Sequence, residues 1–158
     1  MAISAWHQHF DQDSRKERIM IVTGPPGAGK TTYCMQQKIP GDICIDLDHI
    51  IAALELTTVD HGDHAATYRT ALAVYDFLID QIDKGALTYG RCFIITTNQA
   101  KAIQMKTGGQ IVNLDPGIEE TLRRIDADQS CTPEEKRRRR DLCMQYYYKK
   151  DRKRGSRG

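Results

Sequence analysis

Two apolar periods alternate along the 158-residue chain. Arg18–Thr23 (RIMIVT), Asp42–Asp46 (DICID), Arg91–Thr97 (RCFIITT) and Gln110–Leu114 (QIVNL) are short apolar runs rich in β-branched residues. Their length and composition predict buried strands. Between them the period lengthens. In Ala65–Lys84, residues Tyr68, Ala71, Leu72, Tyr75, Leu78, Ile79 and Ile82 recur at helical spacing, and Gly85 stands at the C-terminal stop. Lys30–Lys38, closed by Pro40-Gly41, and Asp48–Leu56 predict shorter helices, Gln99–Lys106 a weaker one, and Thr57–Asp63 a polar break. Asp115-Pro116 reads as the cap of a helix whose apolar face is Ile118, Leu122 and Ile125. Thr132-Pro133-Glu134-Glu135 is a capping box that launches a last helix to about Lys150.

Strands alternating with helices imply an α/β domain, its parallel sheet covered by helices on both faces. The core of that domain is expected over residues 18–150. Residues 1–17, with Trp6, His7, His9 and Phe10, form an N-terminal extension, and 151–158 a basic tail. Five widely spread cysteines offer neither a disulfide framework nor zinc-ligand spacing, so a reducing cytoplasm is the expected setting. No run approaches the roughly 18 apolar residues of a membrane span. The net charge of +2 is unevenly spread: residues 136–158 hold eleven Lys or Arg against Asp141 and Asp151, leaving −7 for the remainder. That asymmetry suggests nucleic acid as a partner of the basic C-terminus, with a solvated, frayed end as the plain alternative.

The chemistry concentrates in Gly24-Pro25-Pro26-Gly27-Ala28-Gly29-Lys30-Thr31-Thr32, which fits G-x-x-x-x-G-K-[ST]. A strand leads in and a helix leads out, so the loop's N–H groups and the helix N-terminus converge on phosphate oxygens. Lys30 is expected to reach the outer phosphates and the Thr31 hydroxyl a magnesium position. The ligand is therefore a nucleoside triphosphate, read as ATP with Mg²⁺.

RIMIVTGPPGAGKTTY followed by DICIDLDHIIAAL resembles small P-loop kinases of the polynucleotide 5′-kinase, zeta-toxin and chloramphenicol-phosphotransferase group. The short chain looks like versions carried by bacteriophages and prophages, which would place it in a host cytoplasm. The resemblance implies a three-layer P-loop NTPase fold of the nucleotide-kinase kind, with four to five parallel strands and a C-terminal helical lid at about 123–140. It also implies that an aspartate beyond the second strand takes the acceptor's proton and helps order the metal. The matching residue is Asp48, with Asp46 as competitor and helix capping as its alternative role. Two departures stand out: Ile51 where the polynucleotide kinases carry an arginine, and Thr96-Thr97-Asn98 where they carry an aspartate. Both count against a nucleic-acid acceptor and leave the donor side complete.

The same resemblance marks Arg123–Arg140 as the lid. Arg124, like Arg123, has a carboxylate four residues earlier, so surface ion pairs compete with a catalytic role. With Leu142, Cys143 and Tyr146 as the buried face, Arg139 falls near its centre and Arg138 at its edge, making both candidate phosphate sensors. His61-Gly62-Asp63-His64 reads as a polar loop with Asp63 capping the next helix, in preference to a metal box. Asp115 mimics a Walker B carboxylate, but Pro116 favours capping. The expected activity is transfer of the γ-phosphate of ATP to a hydroxyl or phosphate of a nucleotide, nucleic-acid end or small molecule. An ATPase or nucleotide-switched binding module is the alternative.

Overall fold

The computed structural model describes residues 16–97 and 108–155. Trp6, His7, His9, Phe10, Asn98 and the helix expected at Gln99–Lys106 lie outside the described residues. Strands β1 (Ile19–Thr23), β2 (Ile43–Ile45), β3 (Cys92–Thr96) and β4 (Gln110–Asn113) form one sheet in the order β2-β3-β1-β4. Every pairing is parallel. The helices whose bounds lie within the described residues are α1 (Lys30–Gln37), α2 (Leu47–Glu55), α3 (Ala65–Asp83), α4 (Ile118–Ala127) and α5 (Pro133–Gly155). This is the α/β parallel-sheet architecture that the alternation of periods predicts.

Both faces are buried at the central strands β1 and β3, which is why these read as continuous apolar runs. Among the described residues the edge strand β4 is not buried as expected, with Ile111 exposed, and Cys44 in β2 is exposed as well. Ile19, Ile21, Cys92 and Ile94 face Tyr75 and Ile82 of α3, with Leu47 and Ile50 of α2 packed against the cluster. Val22, Phe93 and Ile95 point the other way and meet Cys34 of α1. The Tyr75 hydroxyl donates to the Ile95 carbonyl at 2.9 Å, fixing α3 to the end of β3. At the opposite end, Arg91 donates through Nε and Nη2 to Asp42 at 3.0 and 2.6 Å. That pair holds β2 beside β3, and the guanidinium holds the Asp42 carboxyl down at about 2.

Three expectations about boundaries shift. Asp46, not Asp48, stands at the N-cap of α2, and Asp48 lies in its first turn. Asp115 does not cap α4: the chain remains extended through Pro116 and turns at Gly117 (φ 91°), so the helix begins at Ile118. Asp115 instead accepts from the Tyr147 hydroxyl at 2.6 Å and from Lys150, anchoring α5. Helix α5 continues past Lys150 to Gly155, because no Gly or Pro interrupts it earlier and Arg152, Lys153 and Arg154 suit the negative end of its dipole.

The capping box forms as read from the sequence. Glu135 N–H donates to Thr132 Oγ1 at 3.2 Å, and Thr132 N–H to Glu135 Oε2 at 2.6 Å. Thr132→Ala removes one arm of that exchange. It is expected to lower unfolding stability by about 1 kcal/mol, measured by chemical denaturation, with the secondary-structure content unchanged.

Candidate functional site

The carboxyl ends of all four strands gather at one edge of the sheet, where open α/β folds bind ligands. Strand β1 ends at the buried Thr23, and the next six residues turn the chain into α1. Glycine is forced at two points. A Cβ on Gly24 would stand 2.1 Å from the Leu114 carbonyl oxygen, and Gly29 caps α1 at φ 87°. Ala28 N–H to the Pro25 carbonyl (3.1 Å) and Tyr33 N–H to the Gly29 carbonyl (2.9 Å) close the turn. The result is a backbone cradle at a helix N-terminus, the geometry that phosphate requires.

Lys30 folds back onto this loop, its Nζ donating to the Gly24 and Pro25 carbonyls at 3.0 and 2.8 Å. Burial is the main reason that its pKa falls to about 8; the Asp46 and Asp48 charges oppose the fall, and Arg139 adds to it. Thr31 Oγ1 donates to Asp46 Oδ2 at 3.3 Å. Asp46 is 8% exposed and also meets His49 Nδ1 at 2.6 Å. The hydroxyl expected at a magnesium position is therefore paired with Asp46. Asp48 lines the same cleft with its Oδ2 3.9 Å from His61 Nδ1. Its carboxyl is held above the ordinary range, first by desolvation and then by the neighbouring Asp46 charge. Thr31, Asp46 and Asp48 line one cavity and offer the hard oxygen atoms that Mg²⁺ prefers. The residues fit a magnesium nucleotide.

Two cavities open on either side of this loop. The smaller, about 640 Å³, is lined by Tyr33 and Gln36 of α1, Leu114, and Arg123 and Arg124 of α4. The larger, about 1070 Å³, holds Lys30, Thr31, Thr32, Pro26, Asp46 and Asp48, and extends to α3 and α5. Gly27, Gly29, Thr32, Asp128 and Arg139 belong to both.

The lid arginines occupy distinct positions. Arg139, with its side chain 13% exposed, donates to Asp128 Oδ2 at 2.8 Å and to Cys131 Sγ at 3.1 Å. Arg138 donates to the Gly62 carbonyl, tying α5 to the loop before α3. Arg124 pairs with Glu120 at 2.7 Å and also reaches the Ala28 carbonyl of the cradle at 3.2 Å. Arg123 pairs with the same Glu120, three residues back, and not with Glu119. The inward phase of Arg139 holds because it lies one turn before the fully buried Cys143. Leu142, expected on the buried face, is 44% exposed and lines the larger cavity.

The His61–His64 segment behaves as a polar loop. Asp63 Oδ1 accepts from Ala65 N–H at 3.0 Å, and His64 lies between Glu55 (2.9 Å) and Asp60 (2.5 Å). Sequence reasoning missed Asp128, Tyr68 and Arg69 as cleft residues. Only the helical phase of α3 carries a signal for the last two. Among the described residues, no helix is long and apolar enough to cross a membrane.

Neither a protein-family model nor a curated protein matches the chain. Among solved structures, a chain of the Pnkp1/Rnl/Hen1 RNA repair complex superposes with a TM-score of 0.56 at 16% sequence identity. The match covers 86% of this chain and 46% of that one, so the present chain spans less than half of its neighbour's length. At that identity the likeness concerns the fold, and the four-stranded parallel sheet with its loop at the end of β1 is of the P-loop kinase-like kind.

Proposed function

We propose that the chain is an ATP-dependent phosphotransferase that moves the γ-phosphate to an acceptor seated in the larger cavity. One observation carries this reading: the cradle, Lys30 and the two carboxylates Asp46 and Asp48 face a single cavity that extends well beyond the space of a triphosphate. A pure phosphate-binding switch has no need of the added volume or of a carboxylate kept above its ordinary pKa within it. The smaller cavity, with Tyr33, Gln36 and Arg124, is assigned to the nucleoside end of the donor.

In this reading Lys30 and the cradle hold the phosphates, and Thr31 with Asp46 holds Mg²⁺. The bound metal supplies charge neutralisation on the phosphate oxygens. Asp48 accepts the proton of the acceptor hydroxyl, for which a raised pKa is suited. Arg139, released from Asp128, meets the negative charge of the migrating group. Two experiments test the assignment. Labelled γ-phosphate should appear on an acceptor; appearance only as free phosphate would favour a nucleotide-switched module instead. Lys30→Met should abolish both transfer and release while circular dichroism stays unchanged.

Asp48→Asn is expected to lose at least about a hundredfold in kcat with ATP affinity little changed. Asp46→Asn should act differently, raising the Mg²⁺ concentration needed for half-maximal rate. If the two phenotypes exchange, the two carboxylates must exchange roles.

The pH dependence follows from two shifts of opposite consequence. Asp48 must lose its proton to serve as base, so its raised pKa moves the rising limb of kcat/KM above the ordinary carboxylate range. Lys30 must keep its proton to hold phosphate, and its pKa near 8 in the free protein sets a falling limb there. The expected profile is a bell descending from about pH 8, and ATP affinity measured alone should fall over the same upper range. A profile flat from pH 7 to above pH 9 would remove Lys30 from phosphate binding.

A further inference from the structure

Two of the walls of the larger cavity are of unlike kinds. One is the cradle with its carboxylates. The other is a face of α3, where Ala65, Tyr68, Arg69 and Leu72 recur at helical spacing and all line the cavity, joined by Ile51 of α2. The adjoining face of α3, with Ala71, Tyr75 and Ile82, carries the core contacts, and Tyr75 at the boundary also lines the cavity. Tyr68 is left 48% exposed, so its ring serves no core.

Among the described residues, the Lys and Arg side chains lining this cavity are Lys30, Arg69, Arg138 and Arg139. Lys30 is engaged by two loop carbonyls, Arg138 by the Gly62 carbonyl and Arg139 by Asp128. Arg69 differs: it is exposed, and among the described residues it makes no hydrogen bond or ion pair. A free guanidinium beside an aromatic ring and two aliphatic side chains is a fork for an oxyanion next to a surface for a flat or apolar body.

The size of the space limits what can use it. Arg138 bridges α5 to the loop before α3, so Leu142 and Arg139 also wall the cavity. The whole volume, about 1070 Å³, is at the upper end for a small-molecule site, and phosphates on the cradle would take part of it.

We infer that Tyr68, Arg69 and Leu72 form the acceptor subsite, and that the acceptor is a small hydroxylated molecule with one oxyanion beside a flat or apolar body. The inference rests on the phosphotransferase reading for the word acceptor, but its test is a binding measurement. Calorimetry is run on the full chain with Mg²⁺ and a non-hydrolysable ATP analogue filling the donor site. The probes are uridine 5′-monophosphate against uridine for the phosphate source, and 4-(hydroxymethyl)benzoate against benzyl alcohol for the carboxylate source. A short single-stranded oligonucleotide completes the set.

At least one anion should bind about tenfold or more tightly than its neutral partner, as a charge-assisted pair provides. Arg69→Ala should bring that ratio close to one. Arg69→Lys, keeping charge without the fork, should retain part of it. Tyr68→Ala should weaken anion and neutral partner alike. The inference is overturned if wild type shows no anion preference, or if the preference survives Arg69→Ala. It is equally overturned if the oligonucleotide binds tightest through Arg69, because the acceptor is then a polymer. A wild type with an Arg69-dependent preference that transfers no γ-phosphate would leave the subsite standing and remove the phosphotransferase reading, so the two failures are distinguishable.

Discussion

Between Thr23 and Lys30 the chain must turn from a buried strand into a helix, and the Leu114 carbonyl leaves that turn no space for a side chain at Gly24. The Leu114 N–H in turn donates to the Thr23 carbonyl at 2.8 Å, so the end of β4 and the end of β1 hold each other. On the far side of the loop, a Cβ on Gly27 would meet Ile125 of α4 at 2.9 Å. The cradle is thus gripped between a strand end and a helix, and its N–H directions are set before any ligand arrives. Such preorganisation removes reorganisation from the binding step, which is where a polar site gains most of its strength.

Charge follows from that geometry. Lys30 is taken out of water, and two carboxylates only partly offset the cost, so the ammonium sits closer to losing its proton than a surface lysine does. Asp48, its side chain half exposed at the cavity wall, is biased in the opposite sense, because partial desolvation and the Asp46 charge both disfavour its ionised form. Two groups of opposite charge in one cleft are thus both brought towards neutrality, from opposite ends of the scale. Arg139 is paired with Asp128 and lines both cavities together with Gly27 and Gly29, so its charge stands near the cradle while being partnered.

What the sequence made legible was local. The four strands, the cradle and the capping box are each set by neighbouring residues, and each appears where its pattern puts it. Choosing between Asp46 and Asp48 depended on which carboxylate turns toward Thr31 once β2 ends, and that rests on a boundary shift of two residues. The stripe on α3 was wider than its buried part, because Tyr68 and Leu72 facing a cavity give the same periodic signal as residues facing a core. Leu142 was misplaced for the same reason. Arg139 was legible through its phase relative to Cys143, whereas its partner Asp128 was not, since their pairing joins a loop to the following helix. The anchoring role of Asp115 depended on Tyr147 and Lys150, more than thirty residues away, while Pro116 supplied a nearer and misleading cue.

Those two walls of the larger cavity differ in how they are held. The cradle is fixed by backbone packing, in which even one added methyl group collides. The α3 wall consists of side chains that contribute little to the core behind them. Replacing Tyr68 or Arg69 changes the shape and charge of the cleft while the sheet, the cradle and the Asp42–Arg91 clasp remain in place. Mutation can therefore vary one wall without disturbing the other, and the scaffold is in that sense evolvable: a rigid cradle behind an interchangeable mouth.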